Sequence, residues 1–138
     1  MRVDIHWQNL DEGHEGWRQI RCLYAYLAPG QREILYIGKS WGATVRERWS
    51  RSGKAEFWDD LERQRGIYEH SALIGEVALD NDRRLTHQLL CDIESLLIHR
   101  VQPWGNIQSC SSRISRPGLS VVCMGDWPLN QRKYLDDV

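Results

Sequence analysis

The chain has 138 residues, 41% of them hydrophobic, and a formal net charge of −1. That length supports one domain around a single core and leaves little room for a second. The near-neutral balance excludes a uniformly basic polyanion binder, and no apolar run approaches the roughly eighteen residues that a membrane span needs.

The amino terminus, "MRVDIHWQNLDEGHEGW", lacks the apolar stretch of a signal peptide, so a cytoplasmic protein with no membrane partner is expected. Four cysteines, Cys22, Cys91, Cys110 and Cys123, lie far apart without a CxxC pair. Reduced, partly buried thiols are expected, in preference to a zinc site or a disulfide framework.

In chain order, the first elements are two apolar runs, "RCLYAYLA" (21–28), stopped by Pro29-Gly30, and "EILYIG" (33–38). Runs of this kind joined by a short turn predict a β-hairpin. Tyr24 and Tyr36 fall on its two strands, twelve residues apart. Each can turn its hydroxyl toward one end of the sheet, or pack in the core with a wet hydroxyl. Gly38 is expected to end the second strand, turning the backbone sharply into Lys39 and leaving room for a phosphate.

Thr44 is positioned to cap a helix through "TVRERWSRS", ended by Gly53, and "AEFWDDLERQ" (55–64) predicts another. From Gln31 to Lys54, six basic residues (Arg32, Lys39, Arg46, Arg48, Arg51 and Lys54) stand against Glu33 and Glu47, a local excess of +4. Such a patch suits a polyanion, although a solvated helix face has the same composition. A third strand, "SALIGEVAL" (71–79), follows, and then polar "DNDRR", where Asp80, Asn81 or Asp82 can cap the longest helix.

That helix, Arg84 to Val101, carries Leu85, Leu89, Leu90, Ile93, Leu96, Leu97 and Val101 near the 3.6-residue period, and Pro103 ends it. Glu94 sits at the margin of its apolar stripe. A partly desolvated carboxylate there needs a cation or a donor, and a salt bridge to an arginine is the plain account. The rest predicts a strand at "LSVVCMG" (119–125) and a short terminal helix. Because a hairpin forces antiparallel pairing, the class is α+β. The expected architecture is a small antiparallel three-stranded sheet flanked by helices, with a C-terminal strand and short helix.

Cys22-Leu23-Tyr24, Tyr36-Ile37-Gly38-Lys39, Arg48 in "VRERWSR", Glu94, and Asn106 in "QPWGN" occur in that order, each on a suitable predicted element. In this order the chain resembles the GIY-YIG endonucleases over residues 21–106, with 1–20 and 107–138 as extensions of a single domain, 1–138. Gly66-Ile67-Tyr68 spells half of the family name but follows Tyr36-Ile37-Gly38 and a helix, so it cannot form the hairpin that joins two tyrosines. It predicts a turn into the third strand, with Tyr68 packed. Cys22 and Leu23 depart from the family's Gly and Ile. Nine residues separate Gly38 from Arg48, which makes Arg46 a rival; Arg48 is preferred because Val45 and Trp49 then flank it. Where many relatives carry a histidine four residues after the arginine, this chain has Ser52, so His14, His70 or His87 would have to take that place.

The resemblance implies a metal-dependent endonuclease that hydrolyses phosphodiester bonds in DNA, with a single Mg²⁺ or Mn²⁺ held by Glu94. It implies Tyr24 as the base, with Tyr36 orienting the attacking water or bonding the phosphate, the two roles being exchangeable. Arg48 would stabilise charge on the phosphate, and Gly38, Lys39, Arg46 and Asn106 would lie at the substrate, Asn106 tying the loop after the long helix to the site. A catalytically silent nucleic-acid-binding module of the same fold is the alternative, favoured by the modest net charge, and a plain interaction domain is a third. Beyond the motif, Trp41 in "KSWGATV" reads as a base-stacking platform or as core, and Trp49 and Trp58 read as core. Arg113 and Arg116 read as phosphate contacts or as parts of a solvated loop.

Overall fold

Strict alternation of apolar and polar residues in Val3-Asp4-Ile5-His6-Trp7 makes the N-terminal segment a strand, β1 (Arg2–Asn9), with Val3, Ile5 and Trp7 fully buried. The computed structural model of the chain describes residues 1–11, 13–30, 32–50, 52–69, 71–80, 83–107 and 116–136. The other strands are β2 (Arg21–Leu27), β3 (Ile34–Trp41), β4 (Ser71–Ala78), β5 (Ser120–Gly125) and β6 (Lys133–Leu135). They form one mixed sheet in the order β3-β2-β4-β1-β5-β6, antiparallel throughout except between β1 and β5.

The class is α+β, but the expected three-stranded sheet is corrected to six strands. The antiparallel trio β3-β2-β4 is one end of it. β1 covers the outer edge of β4, which would otherwise present unpaired backbone groups to solvent. The predicted terminal helix is the strand β6, because Tyr134 is buried between exposed Lys133 and Leu135, a period of two.

Two faces of the trio are covered by different helices. On one face lies α3 (His87–Val101), whose Leu89, Leu90, Ile93, Leu96 and Leu97 are buried with Leu23, Ala25, Ile37 and Leu73. Each of these side chains contributes about 1.5–3 kcal/mol of burial, so α3 is firmly seated. On the other lie α1 (Val45–Ser50), α2 (Ser52–Arg65) and a 3-10 turn at Glu15–Arg18. Val45, Trp17, Trp49, Phe57 and Trp58 pack there with Cys22, Tyr24 and Tyr26. Covered on both faces, β2 is buried from Cys22 to Leu27.

Several boundaries move for tertiary reasons. Gly53 lies inside α2 instead of ending α1, its helix cost of about 1 kcal/mol being outweighed by docking of Phe57, Trp58 and Leu61. α3 starts at His87, capped by Thr86, whose hydroxyl accepts from Leu89 N at 3.1 Å. Leu85, one residue before the cap, packs in the same cluster as Leu90, a hydrophobic staple that places the start here and not at residues 80–82. After α3 the chain takes a left-handed turn at Gln102 (φ 53°) and a short helix, α4 (Trp104–Ile107). No helix among the described residues is long and apolar enough to cross a membrane. Cys22, Cys91 and Cys123 are free thiols, and burial pushes Cys22 and Cys123 up to about 12. Cys110 lies outside the described residues.

Candidate active site

Strand register brings the tyrosines together. Tyr24 pairs with Gly38 and Tyr26 with Tyr36 across β2 and β3. Residues two apart on a strand share a face, so all three rings stand on the α1–α2 side. Tyr24 and Tyr36 have ring centroids 6.2 Å apart, and Tyr26 lies 5.4 Å from each. Tyr26 is outside the sequence motif, although its spacing of two from Tyr24 is a signal that places it on the same face.

Gly38 does not end its strand. β3 continues to Trp41, and a Cβ on Gly38 would lie 2.5 Å from Tyr24 Cζ and 2.6 Å from its hydroxyl. The room that Gly38 leaves is filled by the Tyr24 phenol, not by space for a phosphate.

Thr44 caps α1 as expected: its hydroxyl accepts from Glu47 N at 3.1 Å and donates to Glu47 Oε1 at 3.1 Å. The two arginines of α1 then diverge. The Arg46 guanidinium lies 4.8 Å over the Trp17 ring, on the 3-10 turn. Arg48 instead acts electrostatically on Tyr24, Tyr26 and Tyr36, favouring the ionised form of each. Its Nε is buried and has no acceptor among the described residues.

Glu94, on α3 across the sheet from the tyrosine rings, lies within electrostatic reach of them. Its carboxylate raises the pKa of both Tyr24 and Tyr36. It forms an ion pair with Lys39, at 3.2 Å between Nζ and Oε1. Both side chains are mostly shielded, 24% and 19% exposed.

Asn106 acts on the backbone of β3. As the edge strand, β3 directs the N–H and C=O of Ile37 away from β2, and the Asn106 amide meets both: Oδ1 accepts from Ile37 N at 2.8 Å, and Nδ2 donates to Ile37 O at 2.9 Å. Gly105 permits this approach, because a Cβ there would lie 2.8 Å from Leu35 O. Asn106→Ala leaves two buried backbone groups without partners, each costing about 1–3 kcal/mol. Urea unfolding is expected to show a loss of about 2–4 kcal/mol, and a change under about 1 kcal/mol would contradict the clamp.

Burial, the largest cause, raises the pKa of Tyr24, Tyr26 and Tyr36, with Arg48 opposing it. The folded state therefore holds these protons more tightly than the unfolded chain, whose phenols ionise near about 10. Stability is fully present below about pH 10 and falls as pH rises above it. The share of the absorbance at 295 nm that belongs to these three rings should rise in one cooperative step together with loss of far-ultraviolet dichroism. Ionisation of these three rings with the fold intact near pH 10 would contradict the burial.

The remaining sequence candidates are dispersed. His14 caps the 3-10 turn, accepting from Gly16 N at 2.8 Å, and His87 stacks on Trp41, while His70 lies outside the described residues. Tyr68 is 71% exposed in the link after Gly66 (φ 65°), so the turn is present but the ring is not packed. Trp49 and Trp58 join the core face as expected, and Arg116 pairs with buried Asp92 at 2.7 Å. Arg113, Arg51 and the Lys54 side chain lie outside the described residues. Arg32 lines a cavity with Trp127 and Arg132, apart from the tyrosines. No group of three or more His, Cys, Asp or Glu suited to a metal occurs among the described residues. No protein-family model, no curated protein and no solved structure matches the chain.

Proposed function

We propose that the protein is a divalent-metal-dependent endonuclease of the GIY-YIG type that hydrolyses phosphodiester bonds in DNA. The observation that carries this reading is that Tyr24 and Tyr36 stack across β2 and β3 while Arg48 from α1 and Glu94 from α3 both act electrostatically on the pair.

Glu94 fits a Mg²⁺ or Mn²⁺ ion: it offers one hard, partly desolvated oxygen donor, and Mg²⁺ keeps most of its waters and takes only one or two carboxylates. Bound there, the ion would supply positive charge against the phosphate and the leaving oxygen. Of the two tyrosines, Tyr36 is the better base. It is only half-buried where Tyr24 is 2% exposed, and a hydrogen bond from Tyr24 lowers its pKa against the effect of burial. Tyr24 is then the donor that steadies an ionised Tyr36, and the Arg48 guanidinium, which favours the ionised phenols, would stabilise charge developing on the phosphate. Neutralising Glu94 would remove one of the causes that hold both phenols protonated.

A catalytically silent nucleic-acid-binding module is the second reading, favoured by the Lys39–Glu94 ion pair, which already satisfies the carboxylate. Supercoiled plasmid and labelled single-stranded, duplex and branched DNA, incubated with Mg²⁺ or Mn²⁺ and with EDTA, separate the two. Metal-dependent cutting supports the nuclease; binding of DNA without cutting of any form supports the silent module.

A further inference from the structure

Beside the tyrosine site, on the α3 face of the sheet, three residues make a stack of their own. Arg21 pairs with Trp41 across β2 and β3, and its guanidinium carbon lies 4.7 Å from the centroid of the indole. The first residue of α3, His87, stacks on the same indole with centroids 5.2 Å apart and planes 19° apart. Trp41 is half-buried, whereas Arg21 and His87 are exposed. Arg21 has no carboxylate partner among the described residues, so its N–H edge is open while its plane is held against the ring.

We propose that Arg21, Trp41 and His87 form a binding subsite for a second phosphate of the substrate strand, a reading that rests on the nuclease assignment above. The spacing suits it. Trp41 lies two residues beyond Lys39, about 7 Å along β3, and His87 lies two helical turns before Glu94, about 10 Å along α3. At about 3.4 Å per nucleotide along a duplex, the subsite falls two or three nucleotides from the phosphate at Glu94. A guanidinium presses its face on an aromatic ring and still offers a planar fork of donors to phosphate oxygens, and a side chain already ordered by stacking loses less freedom on binding. The surface of Trp41 that an incoming base would need is occupied by Arg21 and His87, so the residue serves as the support of a cation and not as a platform for a base.

Fluorescence anisotropy with a fluorescein-labelled DNA 20-mer, as duplex and as single strand, in EDTA over a series of salt concentrations tests this. Arg21→Gln is expected to weaken binding roughly 10-fold and to reduce the slope of log K against log salt by about 0.9 for duplex or 0.7 for single strand, the share of one phosphate contact. Arg21→Lys should retain most of the slope but not all of the affinity. The thermal midpoint of both variants should match the wild type, since Arg21 is exposed. An unchanged slope in Arg21→Gln, in a wild type that binds and cuts DNA, overturns the subsite and leaves the nuclease reading standing. A weakened affinity with the slope unchanged also overturns it, in favour of an uncharged contact of Arg21 with a base or sugar. Failure of the wild type to bind either form at low salt overturns both.

Discussion

Glu94→Gln is expected to lower the rate of metal-dependent cleavage by about 10³-fold or more while DNA affinity in EDTA stays within a few-fold of the wild type. The amide is nearly the same shape as the carboxylate, so α3 keeps its seat under Leu90, Ile93 and Leu97. What is lost is a carboxylate whose field reaches both Tyr24 and Tyr36, and with it the anionic oxygen for a divalent ion. A factor of about 10³ corresponds to about 4 kcal/mol of transition-state stabilisation, the scale at which one metal ion acts. Stability should change by no more than about 1 kcal/mol, because the Lys39 pair that breaks is partly solvated. Calorimetric titration with Mn²⁺ adds a readout independent of turnover: heat of binding in the wild type and none in the variant. Cleavage within tenfold of the wild type would return Glu94 to a structural ion pair.

Gly38→Ala should damage stability and activity together. The added methyl falls 2.5 Å from Tyr24 Cζ, well inside van der Waals contact. Tyr24 has no free direction in which to retreat, since it is 2% exposed and packed against Tyr26 and Tyr36. Overpacking of this kind costs about 1–3 kcal/mol, or a fall of roughly 3–10 °C in Tm for a domain of this size. The displaced phenol can no longer bond Tyr36, and a loss of about 10²-fold in kcat is expected. The double variant Gly38→Ala/Tyr24→Ala separates the two effects, because removing the ring relieves the clash without restoring the hydrogen bond. Gly38→Ala should cost less stability in the Tyr24→Ala background than in the wild type, and the double variant should recover none of the activity. If Gly38→Ala is as stable and active as the wild type, the close approach of Tyr24 to β3 is wrong.

Much of the site is legible in the sequence, because the signals that carry it are local. The apolar runs around Tyr24 and Tyr36 and the short turn between them specify a hairpin, and a hairpin of that length aligns its own strands. The 3.6-residue stripe of α3 puts Glu94 at its margin, and Glu94 is where a helix seated by Leu90 and Leu97 presents a half-buried carboxylate. The alternation in Val3–Trp7 is equally legible and marks the strand that extends the antiparallel trio into a six-stranded sheet. β6, by contrast, spans only Lys133–Leu135, too short for its period to distinguish strand from helix.

The order of residues along the chain is therefore enough to specify the α+β class, the hairpin, the succession of tyrosine, arginine, glutamate and asparagine, and the face of α3 that is buried. Docking of the elements is needed to lay Arg46 over Trp17, to pair Lys39 with Glu94, to fill the space at Gly38 with a ring, and to clamp the edge of β3 with Asn106. The physical reason is the range of the forces that set each feature. Backbone sterics and side-chain periodicity act within a few residues and leave a mark in any short window. Lys39 and Glu94 are 55 residues apart, and Ile37 and Asn106 are 69 apart. Such pairings exist only after α3 has docked on the face of the sheet and α4 against the free edge of β3, where burial of apolar surface chooses the position and the polar partners follow from it.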